Sequence, residues 1–144
     1  MTHNLKFIET ARRVIRAEAD ALITLANAID ESLSDAVDLI LNAKGRIIIS
    51  GIGKSGHIAR KIAATLASTG TPAHFVHPAE ASHGDLGMVT RGDVVLAISN
   101  SGEAPELANL IAYTQRFAIP LIGMTSHAKL SLIHISEPTR LTMI

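Results

Sequence analysis

Four short apolar runs alternate with helical stretches through the middle of this chain, and that alternation leaves few folds open. The runs are Arg46–Ser50, Ala73–Val76, Val94–Ile98 and Pro120–Met124. Each is apolar almost throughout rather than at every second residue, so each is expected to be covered on both faces. Between them the spacing predicts a helix over about Ser55–Ser68 and another over about Ala104–Phe117. In the first of these, Ile58, Ile62 and Leu66 share one side. Ala59, Ala63, Ala64 and Ala67 lie around them and permit close packing. Strand, helix and strand in turn imply crossover connections, so the fold class is α/β: a parallel sheet flanked by helices.

The first 45 residues read differently. Leu5, Ile8, Val14, Ile15, Leu22, Leu25 and Ile29 recur at helical spacing, with charged residues on the other face. A long amphipathic helix is expected, its apolar stripe available to a partner subunit. A shorter helix follows over Asp35–Ala43, with Gly45 in the place of a helix C-cap. The organisation is then a helical segment over 1–45, a sheet domain over 46–129 and a distinct tail over 130–144. Hydrophobic residues make up 47% of the chain and aromatic ones 3%, so the core must be built from Ile, Leu, Val and Ala. The formal net charge of zero argues against nucleic acid as a partner, which usually needs a basic face. With no cysteine there is neither a disulfide nor a thiolate metal site, as suits a reducing compartment. The N-terminus lacks the continuous apolar core of a signal peptide, and no run is long enough to span a bilayer. A cytoplasmic protein with no membrane partner is expected.

The stretch "IIISGIGKSGHIARKIAATLASTG" runs from a strand through a glycine turn into a helix, the layout of a phosphate-binding loop. A nucleoside-triphosphate loop needs a glycine five positions before Gly53, where Ile48 stands. The pattern G-x-G-x-x-G matches at Gly51, Gly53 and Gly56, with Glu80 a loose candidate for the ribose acid of a dinucleotide site. The third strand favours a smaller ligand. "DVVLAISNSGEAPELANLIAYTQ" repeats the layout, ending in Ser99-Asn100-Ser101-Gly102-Glu103 before a helix. Hydroxyls and backbone N–H groups meeting at a helix N-terminus suit a compact phosphate monoester. The competing reading is a plain helix cap by Ser99 or Ser101. Ser99, Ser101 and Gly102 together at the carboxyl end of a parallel strand favour the anion site.

These residues resemble the sugar isomerase (SIS) domain family, its arabinose 5-phosphate isomerase branch in particular. The likeness rests on "GIGKSGHIARKIAATLASTGTPAHFVHPAEASHGDLGMV" and "DVVLAISNSGE" and covers roughly Leu5 to Thr125. It implies a flavodoxin-like three-layer domain with a five-stranded parallel sheet, and a homo-oligomer, a tetramer in the intact protein. It implies interconversion of D-ribulose 5-phosphate and D-arabinose 5-phosphate, a step toward lipopolysaccharide in Gram-negative bacteria, without a cofactor. Matched by position, Lys54, Glu106 and His83 are the implied catalytic residues. Gly53, Ser55, Ser99, Ser101, Gly102 and Glu103 are the implied substrate- and phosphate-binding ones. Ala104 departs from the family, which usually places a hydroxyl there, so phosphate affinity is expected to be somewhat weaker.

The chemistry suits the residue types. Moving a carbonyl from C2 to C1 needs a base beside it and a group that stabilises the enediolate oxygen. Glu106 can be the base or polarise a hydroxyl, Lys54 offers positive charge, and His83 can pass a proton between oxygens. The roles of Glu106 and His83 are exchangeable at this level. Structural readings stand beside these: a solvated loop lysine at 54, and a first-turn acid at 106 that complements a helix dipole. His77, Glu80, His83 and Asp85 crowd one loop with metal-type ligands, but no H-x-x-x-H helical pair is present, and a loop lining the sugar pocket is preferred to a metal site. Two other functions use the same loops: a sugar-phosphate-sensing module of a transcriptional regulator, and an amino-sugar phosphate lyase or aminotransferase domain. No helix-turn-helix is visible before Leu5, and "HPAEASHGDLGMV" favours the isomerase.

The resemblance stops near Ser126. The chain ends "LSLIHISEPTRLTMI", and Leu130 to Arg140 resembles the translation of a sequencing-library adapter. The sheet is therefore expected to be incomplete, with Pro120–Met124 an open edge. The family's later glutamate and histidine are expected to be missing, and this fragment alone to be inactive.

Overall fold

The computed structural model describes residues 2–126 and 139–142. Two compact units divide the chain, one up to Ile29 and one from Asp30 onward. The first is a single helix, α1 (Thr2–Ala28), on which Ile15 and Leu22 of the apolar stripe are 64% and 66% exposed.

The second unit carries α2 (Glu31–Asn42), β1 (Ile47–Gly51), α3 (Gly53–Ser68), β2 (Ala73–Phe75), α4 (Pro78–Ala81), β3 (Val94–Ile98), α5 (Ala108–Arg116), β4 (Leu121–Thr125) and β5 (Thr139–Thr142). The sheet order is β2-β1-β3-β4-β5 and every pairing is parallel. Four of these strands are the apolar runs of the sequence. The fifth, Thr139–Thr142, lies beside β4, where the sequence predicts an open edge. The unpaired N–H and C=O groups of a parallel edge accept another extended segment, and "TRLT" has two β-branched residues. The remainder of the 130–144 tail lies outside the described residues.

Both faces of the sheet are buried, as continuous apolar strands require. On one face Ile48, Val95 and Ala97 meet Leu107, Leu110 and Ile111. On the other Ile47, Ile49, Leu96 and Ile122 meet Ala36 of α2 and Ala59 and Ala63 of α3. Ala59 and Ala63 are the buried side chains of α3, with Ile62 and Leu66 half-buried beside them, whereas Ile58 is 55% exposed.

Three local expectations shift for physical reasons. Helix α2 starts earlier than periodicity suggests, because the Asp30 carboxylate accepts from the Ser32 N–H (2.9 Å) and caps it. Gly45 is not its C-cap, a position that Ala43 holds. Gly45 is needed instead for close approach, since a Cβ there would collide with Asp93 Oδ1. Helix α5 starts at Ala108, not Ala104. Pro105 opens a separate 3-10 turn over Pro105–Leu107, and Ala104 before it is extended, the conformation that proline imposes on its predecessor.

Candidate functional site

The two glycine-containing loops come from neighbouring strands. Gly51 at the end of β1 pairs with Ile98 at the end of β3. Connections leave these strands in opposite directions, β1 leading to the β2 side of the sheet and β3 to the β4 side. This is the topological switch point, where open α/β sheets leave a crevice beyond their carboxyl ends.

On the β1 side, α3 begins at once. Gly53 is at φ +56°, in the left-handed region that favours glycine, and a Cβ there would meet nothing within 4 Å. A Cβ on Gly56 would lie 2.7 Å from the Gly51 carbonyl oxygen, so glycine at 56 lets the first turn of α3 rest on the strand end. The N-cap residue is Ile52, whose side chain cannot accept a hydrogen bond, and α3 carries no side-chain cap. The first N–H groups of this 16-residue helix are thus left to a ligand or to water. Lys54 is exposed in that turn and Ser55 is half-buried beside it.

On the β3 side, Ser99 to Glu103 form a tight turn with Gly102 at φ +70°. The Ser99 hydroxyl accepts from the Gly102 N–H (3.1 Å), and the Ser101 hydroxyl from the Glu103 N–H (3.2 Å). Both serines therefore cap their own loop, the bond type of the plainer reading. Their hydroxyls keep a donor each and a second lone pair. Because α5 starts five residues after Glu103, this loop does not open directly onto that helix.

Glu106 sits in the 3-10 turn Pro105–Leu107 and is exposed. His83 follows α4 in the connection from β2 to β3 and is also exposed. Its neighbour Ser82 accepts from the Asn109 amide of α5 (2.9 Å), which ties this connection to the start of α5. Gly53, Lys54, Ser55, Ser99, Ser101, Gly102 and Glu103 are thus gathered at one switch point. Glu106 and His83 stand on adjoining segments, and among the described residues no hydrogen bond or ion pair joins Lys54, Glu106 and His83. Sequence reasoning passes over Ile52, although an apolar residue where Ser, Thr, Asp or Asn is preferred leaves the first N–H groups of the helix without a side-chain cap. It also passes over Thr125 and Ser126, whose hydroxyls reach the Asn100 carbonyl.

Known proteins share this architecture. A family model for the SIS domain matches residues 39–136. The arabinose 5-phosphate isomerase KdsD of Pseudomonas aeruginosa is 51% identical over 137 residues, 95% of this chain but 42% of that protein. KdsD of Francisella tularensis is 49% identical, covering 92% of this chain and 41% of that one. This chain therefore spans less than half the length of these relatives. Among solved structures, an Escherichia coli CFT073 protein in complex with arabinose 5-phosphate superposes with a TM-score of 0.90 at 36% identity, covering 97% of this chain and 74% of that one. A Bacteroides fragilis putative phosphosugar isomerase gives 0.87 at 35% identity, over 95% and 73%. Among the described residues no helix is long and apolar enough to cross a membrane. With its two strand-end loops at one switch point and a family model matched over more than half its length, this chain belongs to the SIS domain family.

Proposed function

We propose that this chain forms the sugar-phosphate-binding part of an aldose–ketose isomerase that interconverts D-ribulose 5-phosphate and D-arabinose 5-phosphate. The observation that carries the reading is the pairing of Gly51 with Ile98, which sets the uncapped first turn of α3 beside the serine loop. The identity with KdsD proteins and the arabinose 5-phosphate complex of the E. coli relative support the substrate class. In this reading the phosphate binds between Gly53–Ser55 and Ser99–Glu103, and the serine hydroxyls exchange their cap bonds for phosphate oxygens. Glu106 takes the C1 proton of the ketose, Lys54 offsets negative charge on the phosphate or the enediolate, and the proton returns at C2. His83 passes a proton between O1 and O2. The protein acts in the cytoplasm as a homo-oligomer, for which the exposed apolar stripe of α1 is a suitable surface.

Since the chain spans 42% of P. aeruginosa KdsD, turnover is best tested in a chimera in which residues 1–126 replace the matching part of that enzyme. Deuterium exchange at C1 and C2 of the pentose phosphate, followed by NMR, is expected. No exchange with either substrate in a folded chimera would overturn the reading. In the 144-residue chain itself, Lys54→Ala is expected to weaken arabinose 5-phosphate binding about tenfold, the loss of one charge-assisted contact. Melting temperature should hold, because Lys54 is exposed. Calorimetric titration at constant salt checks it, and unchanged affinity would assign Lys54 no part in binding.

A further inference from the structure

The ladder between β3 and β4 slips by one residue at the serine loop. The N–H groups of Val95 and Ser99 donate to the carbonyls of Pro120 (2.9 Å) and Met124 (3.0 Å), in regular parallel fashion. Continued in register, that ladder would give the Ser126 N–H to the carbonyl of Ser99. It goes instead to the carbonyl of Asn100 (3.3 Å), and the Ser99 carbonyl takes the Gly102 N–H (3.2 Å). The Ser126 hydroxyl also donates to the Asn100 oxygen, at 2.5 Å, and the Thr125 hydroxyl reaches it at 3.4 Å. Three donors from the end of β4 thus converge on one carbonyl, and Thr125 among them is 2% exposed.

This fixes the next peptide group. No described peptide bond is cis, and across a planar trans peptide the C=O and the following N–H point opposite ways. With the Asn100 carbonyl held on the β4 side, the Ser101 N–H is turned toward the other neighbour of β3. That neighbour is β1, which leads into Gly53–Ser55. Among the described residues the Ser101 N–H has no acceptor. We propose that Ser126, with Thr125, is a positioning residue: it holds the Asn100 carbonyl so that the Ser101 N–H is presented to the anion bound between the two loops. The proposal rests on the phosphate reading of that crevice.

The test uses the 15N-labelled 144-residue chain titrated with inorganic phosphate and with D-arabinose 5-phosphate. The Ser101 amide resonance should shift on binding of either. Ser126→Ala should weaken both about fivefold, the worth of one hydrogen bond, with an unchanged melting temperature. Ser126→Thr keeps the hydroxyl and should restore affinity, and Thr125→Val should cause a smaller loss. Equal affinity in Ser126→Ala and the parent, or a Ser101 amide that does not respond while phosphate binds, would overturn the positioning role alone. An affinity loss that merely tracks a fall in melting temperature would also overturn it, leaving Ser126 structural. A parent chain that binds neither ligand would overturn the phosphate reading and this proposal together.

Discussion

Glu106→Gln in the KdsD chimera is expected to lower kcat about a hundredfold or more, the usual worth of a positioned general base. Glutamine keeps the shape of the side chain and its capacity to accept a hydrogen bond, but it cannot hold the abstracted proton. Stability should not change. Glu106 is exposed on its 3-10 turn and engages no salt bridge among the described residues, and substitutions at such positions usually stay within about 0.5 kcal/mol. KM should move little, because the phosphate is held elsewhere. Steady-state rates, C1 deuterium exchange and a melting curve on the same preparation separate these effects. Near-normal turnover would remove Glu106 as the base and pass that role to His83.

Asp93→Asn is expected to cost the fold about 3 kcal/mol. Asp93 is 1% exposed at the start of β3. Its Oδ1 accepts from the Arg46 N–H (2.7 Å), and its Oδ2 from the N–H (2.8 Å) and hydroxyl (3.1 Å) of Thr90. The Arg46 guanidinium lies 3.6 Å from Oδ2. An asparagine has one acceptor oxygen, so its NH2 must face a backbone donor that it cannot satisfy, in a buried place. Burial opposes the charge on Asp93, but the donors of Arg46 and Thr90 outweigh it and hold the carboxyl below its ordinary value of 3.8. The sign follows from linkage. Between the lowered folded value and 3.8 the unfolded carboxyl is mostly protonated while the folded one is still ionised, so the unfolded state binds more protons there. The stabilisation is full above 3.8 and is lost as pH falls through the folded value. Urea unfolding of the parent should therefore show stability falling with pH below about 4, and Asp93→Asn should flatten that part of the curve. A variant with the parent's midpoint and the same acid limb would remove Asp93 from this role.

The strands are legible because a parallel sheet buries both faces, which leaves a run such as Ile47-Ile48-Ile49 nowhere polar to put a side chain. The strand-end turns are legible for a related reason, since glycines and serines directly after an apolar run suit a tight turn, and Gly53 and Gly102 both take a positive φ. What escapes reading depends on partners far along the chain. Asp93 looks like an ordinary turn acid until Arg46, 47 residues away, arrives beside it. Gly45 reads as a helix stop when its reason is that same carboxylate. Apolar periodicity places the start of α5 too early because it outweighs the single residue Pro105. Glu106 and His83 are proposed only by likeness to a family, since they lie on two separate exposed segments that no spacing in the sequence links.

Because both halves of the crevice hang from one ladder, the sheet acts as a ruler for what fits. Ile47–Gly51 and Val94–Ile98 are buried along their full length and paired residue for residue. Their spacing is the fixed strand separation of about 4.8 Å, and no loop substitution changes it. In the sugar-phosphate reading the backbone thereby fixes the spacing of the two anion loops, while the rest of the ligand is met by residues 77–93 after β2 and 103–107 beyond the serine loop. Under that reading, exchanging those segments changes the sugar that is met and leaves the phosphate loops in place.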